Sequence, residues 1–152
     1  MGTTKTTTVE TQGLDQLGNA VGKPQQGDTV GIHVKGYYFD SKTNKKKEYE
    51  DSRHREKLTE FKIGASQVIP GLETSVLDMQ LGDEATITMT PDVGYGDQEF
   101  HGYSAKVPPN SNLEMHVALM KIVRNGKVHL RKRPKDKASC MLKCLYNLFR
   151  GH

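Results

Sequence analysis

The sequence predicts an α+β fold in which an antiparallel sheet is crossed by one short helix. Apolar and polar residues alternate over residues 30–34, 85–89 and 113–121, as they do in half-buried strands. A helix is predicted from Pro70, because the first helical turn does not need the N–H that proline lacks. Apolar residues then recur at helical spacing before Gly82, which closes the segment, and a short helix of about eight residues is predicted. These apolar residues are Leu72, Val76 and Met79.

The other elements follow from turn formers and short apolar runs. Residues 6–10, within a Thr-rich stretch, are predicted to form an edge strand. Residues 40–48 contain four lysines and are expected to be a solvated turn between strands. A short strand is predicted over residues 58–63, and residues 91–111 form a long loop, a length that is often functional.

Composition limits the class of protein. The chain has 152 residues, enough for one domain with a single core, and 34% of them are hydrophobic. Its apolar runs are far shorter than the ~20 residues that span a bilayer, and its N-terminus lacks the pattern of a secretory signal. Cys140 and Cys144 lie four apart near the C-terminus and cannot cross-link a core. A cytoplasmic location is therefore expected.

The charge is unevenly distributed along the chain. Residues 1–120 carry 12 Lys and Arg against 17 Asp and Glu, a net charge of −5. Residues 121–152 carry 10 Lys and Arg against one acid, Asp136, a net charge of +9. A mildly acidic body with a basic C-terminal extension is typical of a protein that uses its tail for an interaction.

Three phrases are the strongest functional signal. They are QVIPGLE at residues 67–73, TPDVGYG at residues 90–96 and VPP at residues 107–109. Their order and spacing resemble the FK506-binding protein family of peptidyl-prolyl isomerases. Further matches, at GDTV, IHVKG, YEDSR and FKIG, extend the resemblance over residues 25–123.

The resemblance implies a fold, a division of the chain and an activity. The fold is a twisted antiparallel sheet wrapped on one short helix, formed by residues 25–123. Residues 1–24 would be an N-terminal extension or edge strand, and residues 124–152 a basic, amphipathic tail. The activity would be cis-trans isomerisation of X–Pro bonds in an apolar pocket, with no cofactor and no metal. Partners would be proline-containing peptides or proteins, and macrolides such as FK506 or rapamycin.

The family's site residues map onto matching positions of this chain. The resemblance assigns catalytic roles to Tyr95, Ile69 and Glu50. Substrate or drug contacts are expected from Tyr49, Asp51, Phe61, Val68, Leu72 and Met115. Asp51 is also the alternative to Glu50 for the family's acidic residue, if the match shifts by one position. Considered apart from their surroundings, Val68, Ile69 and Leu72 would instead be simple core residues at a helix start.

Several aromatic residues of the family's pocket are replaced in this chain. Leu72 stands where the family has tryptophan, Val34 where it has tyrosine, and Met115 where it has phenylalanine. Thr59 replaces another aromatic residue, and Tyr49 replaces a phenylalanine. Each aromatic lost removes a contact of about 150–250 Å². We therefore expect reduced isomerase efficiency and weakened macrolide binding. The alternative is a binding or chaperone module with little catalysis, which uses its loops and tail.

Two further segments leave alternatives open. Phe100, His101 and Tyr103 lie in an expanded loop and either roof the pocket or anchor the loop. Residues 138–150 have apolar residues at helical spacing among basic ones, which suggests a membrane surface or a calmodulin-like partner. The same segment could dock on its own domain or remain disordered, and nucleic acid ranks lower. Gly2 fits a myristoylation pattern, and Cys140 and Cys144 are candidates for palmitoylation.

Overall fold

The computed structural model describes residues 3–131. The predictions for Gly2, for the helix over residues 138–150, and for Cys140 and Cys144 lie outside these residues and stay predictions. No helix within residues 3–131 is long and apolar enough to cross a membrane.

The elements confirm the predicted α+β class, with one α-helix among nine strands in the described residues. The strands are β1 (Thr3–Val9), β2 (Thr29–Phe39), β3 (Lys46–Asp51), β4 (Thr59–Lys62), β5 (Glu84–Met89), β6 (Phe100–His101), β7 (Lys106–Val107), β8 (Leu113–Arg124) and β9 (Lys127–Leu130). The helix is α1 (Pro70–Leu77), and a single 3₁₀ turn covers Pro91–Val93. Strands β2, β5 and β8 lie where the alternation of apolar residues predicts them.

Seven strands form one antiparallel sheet around the long central pair β2 and β8. Its main order is β1-β5-β8-β2-β3, with β4 paired to β2 and β9 paired to β8. The inward residues of the central strands, such as Ile32 and Leu119, are completely buried. They share a core with Leu72 and Val76 of α1, so burial of one apolar face holds the helix against the sheet.

The helix has the short length that the sequence predicts, 8 residues over Pro70–Leu77. It ends at Leu77, and the N–H groups of Asp78 and Met79 donate to the carbonyls of Ser75 and Val76. Met79 is nevertheless fully buried, since it joins the core from the turn that follows the helix. The predicted length of the helix is therefore confirmed, although Met79 lies just beyond its last residue.

Two predicted loops contain strand structure. Residues 40–48 were expected to be a turn, but β3 already begins at Lys46, which pairs with Phe39. The loop over residues 91–111 contains the small β6–β7 hairpin, in which Phe100 pairs with Val107. Strands of two residues leave no periodicity in the sequence, so they follow from tertiary contacts alone.

Strand structure continues beyond residues 25–123 at both ends of the described residues. Lys127–Leu130, expected to belong to the tail, form β9 on the edge of β8. Asp15, from the N-terminal segment, accepts a hydrogen bond of 2.8 Å from Nδ1 of His129 and is only 2% exposed. Arg124 binds the buried carboxylate of Asp28, with Nη2 2.8 Å from Oδ2. The Asp15–His129 and Asp28–Arg124 contacts each join residues more than 90 positions apart, which local sequence patterns cannot indicate.

The Asp15–His129 contact predicts a particular dependence of stability on pH. The hydrogen bond from His129 is the main reason why the pKa of Asp15 lies well below its usual range. A lowered pKa in the folded state stabilises the protein above the unfolded pKa of about 3.9, and this contribution disappears as the pH falls further. We expect Asp15→Asn to lower the melting temperature at pH 7, with a difference from the native protein that narrows below about pH 4.

Thermal unfolding followed by circular dichroism between pH 2.5 and 7 measures this difference. Asp97→Asn is the control, since Asp97 lies in an exposed loop where its side chain accepts a hydrogen bond from the neighbouring Gln98 side chain and from no other residue in 3–131. A difference for Asp15→Asn that stays constant over the whole range would contradict the ionic role of Asp15.

Candidate active site

A cavity of about 470 Å³ opens between the start of α1 and the inner face of the sheet. This volume lies within the range of roughly 300–1,000 Å³ that is typical of small-molecule sites. The cavity is lined by Val34, Tyr49, Glu50, Thr59, Ser66, Gln67, Val68, Ile69, Pro70, Leu72, Tyr95, Phe100 and Met115. It brings together most of the residues that the sequence assigned to the site, from four separate segments of the chain.

The start of α1 supplies one side of the cavity and a backbone donor. Ile69 has extended backbone angles, and its carbonyl accepts the N–H groups of Leu72 and Glu73. Its own N–H makes no hydrogen bond within residues 3–131. The N–H groups at a helix start generally lack intrahelical partners. Ile69 therefore offers an unused donor beside the apolar side chain of Val68.

Three aromatic rings form another part of the cavity lining. Tyr95 and Phe100 are stacked, with ring centroids 4.1 Å apart and an angle of 9° between the ring planes. The Tyr49 ring contacts both rings edge-on, and its centroid lies 6.1 Å from that of Tyr95 and 6.0 Å from that of Phe100. The hydroxyl oxygens of Tyr49 and Tyr95 lie 3.4 Å apart. Stacked and edge-on contacts are both favourable geometries of aromatic pairs, and together they hold the Tyr95 ring in place.

A bulge in the sheet explains why consecutive residues of β3 both line the cavity. Gly36 pairs with Glu50 and Tyr37 pairs with Glu48, so Tyr49 is the extra residue between these pairs. In a regular strand, adjacent side chains would point to opposite faces. The bulge allows Tyr49 and Glu50 to face the same space.

The β6–β7 hairpin holds Phe100 over the cavity. The N–H of Ser104 donates to the carbonyl of Tyr49 at 3.1 Å. A Cβ on Gly102 would lie 2.5 Å from the same carbonyl oxygen, so only glycine permits this close approach. The loop aromatics were expected either to roof the cavity or to anchor the loop, and Phe100 roofs the cavity. Tyr103 is 57% exposed and instead lies beside His54 and Arg55, and His101 pairs with Glu99 at the surface.

The acidic position of the site is occupied by Glu50. Its Oε1 accepts a hydrogen bond from Nε of Arg55 at 3.0 Å. The same oxygen forms an ion pair with Nη2 of Arg55 at 2.9 Å. Its Oε2 takes part in neither bond. Asp51 does not line the cavity, because its Oδ1 caps the following turn by accepting the N–H groups of Arg53 and His54. The geometry therefore favours Glu50 over the one-residue shift to Asp51.

The site provides neutral hydrogen-bond donors. Burial is the first cause that raises the pKa of both Tyr49 and Tyr95 above the ordinary value for tyrosine. Both hydroxyls are therefore protonated at neutral pH. Within residues 3–131, no three His, Cys, Asp or Glu side chains gather closely enough to hold a metal ion.

Comparison with known proteins identifies the family. Residues 21–120 match the family model described as FKBP-type peptidyl-prolyl cis-trans isomerase. FK506-binding protein 1B of Aspergillus fumigatus is 37% identical over 114 residues, which are 73% of this chain and 92% of that protein. FK506-binding protein 1 of Aspergillus oryzae is 40% identical over 105 residues, 65% of this chain and 86% of that protein.

This chain belongs to the FKBP-type peptidyl-prolyl cis-trans isomerase family. The fold agrees with a crystal structure of the three FKBP domains of wheat FKBP73, with a TM-score of 0.66 and 28% identity. That alignment covers 81% of this chain and 47% of the wheat chain. The resemblance inferred from the three phrases is confirmed, and so is the isomerase class.

Within this FKBP domain, four lining residues outside the aromatic cluster have smaller, non-aromatic side chains. They are Val34, Thr59, Leu72 and Met115. Phe61, expected to contact the substrate, does not line the cavity; it is 2% exposed and pairs with Val30 in the core. Thr59 precedes Phe61 by two residues on the same strand face and occupies the cavity end of β4. Position along the strand, rather than residue type, decides which of the two reaches the cavity.

Sequence reasoning did not assign three of the lining residues, Ser66, Gln67 and Pro70, to the site. The Gln67 side chain accepts the N–H of Lys62 at 2.9 Å, which ties the segment before α1 to the end of β4. Gln67 stands inside the first of the three phrases, so its place in the motif was the available signal.

Proposed function

We propose that the cavity of this isomerase binds the proline ring and twists the preceding peptide bond, with lower efficiency than an FKBP with a fully aromatic pocket. Rotation about the amide costs about 18–20 kcal/mol because resonance is lost in the twisted state. The planar amide is more dipolar than the twisted one, so an apolar cavity that excludes water destabilises it relative to the transition state. The observation that carries the proposal is a largely apolar cavity lined by two potential donors to a ligand. They are the Tyr95 hydroxyl and the Ile69 N–H, of which the second makes no hydrogen bond within residues 3–131.

The donors and the acid have separate proposed roles. The Tyr95 hydroxyl and the Ile69 N–H would each bind a carbonyl that flanks the reacting bond. Glu50 is held by Arg55, and its free Oε2 would accept a hydrogen bond from the substrate backbone. Tyr49, Val68, Leu72 and Met115 would contact the proline ring. No nucleophile and no proton transfer are needed.

The reduced efficiency follows from the unequal walls. Aromatic side chains supply large and rigid contacts, whereas leucine and methionine fill less area and valine and threonine less again. A proline ring would therefore be enclosed firmly on the side of Tyr49, Tyr95 and Phe100 and loosely on the other. Macrolides such as FK506 or rapamycin would lose more contact than a proline ring, because their apolar surface is larger.

An exchange or protease-coupled assay on Leu-Pro and Phe-Pro peptides tests this function. We expect catalysis above the uncatalysed rate but below that of a family member whose pocket has all its aromatic residues. Tyr95→Phe should lower kcat/KM about fivefold, because one hydrogen bond to the substrate is lost. Tyr103→Phe, in the same loop but outside the cavity, should leave it unchanged.

Two results would contradict the proposal. Turnover equal to that of a fully aromatic family member would contradict the reduced efficiency. Absence of catalysis, with binding of proline peptides retained, would instead favour the alternative of a binding or chaperone module.

We also propose that the basic tail gives this protein an anionic membrane or calmodulin-like partner. The support is the excess of Lys and Arg beyond residue 120 and the amphipathic spacing over residues 138–150. Because β9 ends at Leu130 and Arg131 still bonds to Met120, a deletion should begin after Arg131. We expect the full chain, and not the chain ending at Arg131, to sediment with vesicles containing phosphatidylserine. Equal sedimentation of the two would contradict the membrane proposal.

A further inference from the structure

The hydroxyl groups of Tyr49 and Tyr95 form an isolated pair. Their oxygens are 3.4 Å apart, and neither hydroxyl makes another hydrogen bond within residues 3–131. Tyr49 is completely buried, whereas Tyr95 is only partly buried and lines the cavity. The two oxygens share one hydrogen bond but carry two protons, so one proton is directed elsewhere.

Burial determines which tyrosine donates. If Tyr95 donated to Tyr49, the Tyr49 proton would remain inside the protein with no acceptor, which is costly for a buried polar group. If Tyr49 donates to Tyr95, its own proton is satisfied and the Tyr95 proton is free to turn toward the cavity. The second arrangement leaves no buried donor unpaired, and it presents a donor where a ligand can reach it.

We propose that Tyr49 is a positioning residue that donates its hydroxyl proton to the Tyr95 oxygen and so directs the Tyr95 proton to the substrate carbonyl. This inference rests on the proposed role of Tyr95 in the isomerase. A hydroxyl that accepts a hydrogen bond is polarised and becomes a stronger donor. The Tyr95–Phe100 stack limits movement of the ring, so the accepted bond selects the direction of the hydroxyl.

The resemblance places a phenylalanine of the family at the position of Tyr49, so the hydroxyl pair is a feature of this chain. Tyr49→Phe therefore removes one hydroxyl and keeps the ring that contacts Tyr38, Tyr95 and Phe100. The separation of 3.4 Å is long for a bond between two hydroxyl groups, and catalytic hydrogen bonds commonly tighten when substrate binds.

A double-mutant cycle on the full chain tests the coupling. kcat/KM for a Leu-Pro peptide is measured for the native protein, Tyr49→Phe, Tyr95→Phe and the double variant. We expect Tyr49→Phe to lower kcat/KM about threefold in the native background. In the Tyr95→Phe background, the same change should have no effect. Equal losses in both backgrounds would overturn the proposal, because Tyr49 would then act without Tyr95.

A second measurement does not depend on activity. The ¹³Cζ NMR signal of Tyr95 at pH 7 responds to hydrogen bonds at its hydroxyl, and we expect Tyr49→Phe to shift it. Tyr38→Phe is the matched control, because Tyr38 is also buried and also contacts the Tyr49 ring, at 6.5 Å, but its hydroxyl does not bond to Tyr95. Tyr38→Phe should leave the Tyr95 signal unchanged.

The two measurements separate the inference from the proposed function. A shifted Tyr95 signal in a chain without isomerase activity would support the hydroxyl pair and contradict the enzymatic proposal. An unshifted Tyr95 signal in Tyr49→Phe, or an equal shift in Tyr38→Phe, would overturn the inference even if the enzyme is active.

Discussion

Tyr49 fits beneath the cavity because Gly36, on the neighbouring strand, has no side chain: a Cβ there would lie 2.9 Å from the tyrosine ring. The bulge in β3 turns this ring inward together with Glu50. The rings of Tyr95 and Phe100 then pack against it, and the Tyr49 carbonyl anchors the hairpin that carries Phe100. The roof, the hydroxyl pair and one wall of the cavity therefore all depend on a single buried residue and on the glycine that makes room for it.

The cavity is lined partly by aromatic and partly by smaller side chains, and this difference links the structure to the proposed activity. Three aromatic rings hold one another in a fixed geometry. Val34, Thr59, Leu72 and Met115, which line the same cavity, have smaller side chains that are not aromatic. The two proposed hydrogen-bond donors belong to Ile69 and Tyr95 in the same lining. An active site of this kind would bind the backbone around proline well and the proline ring itself loosely.

Local patterns in the sequence predicted what depends on local chemistry. The alternation of apolar residues located β2, β5 and β8, and Pro70 located the start of α1. The family phrases placed Val68, Ile69, Leu72 and Tyr95 around one cavity. By contrast, the stack of Phe100 on Tyr95, strand β9 and the Asp15–His129 contact join segments that are distant in sequence or too short for periodicity. Phe61 was misassigned because Thr59, two residues earlier on the same face, lies at the cavity instead.

The central claim is that the missing aromatic wall limits turnover, and Leu72→Trp tests it most directly. Leu72 is 4% exposed at the cavity wall, where tryptophan would add apolar contact to the proline ring. Leu77→Trp places the same residue on α1 outside the cavity and is the control. With both variants folded, the account predicts a severalfold rise in kcat/KM on a Leu-Pro peptide for Leu72→Trp alone. An unchanged or lower value would contradict it.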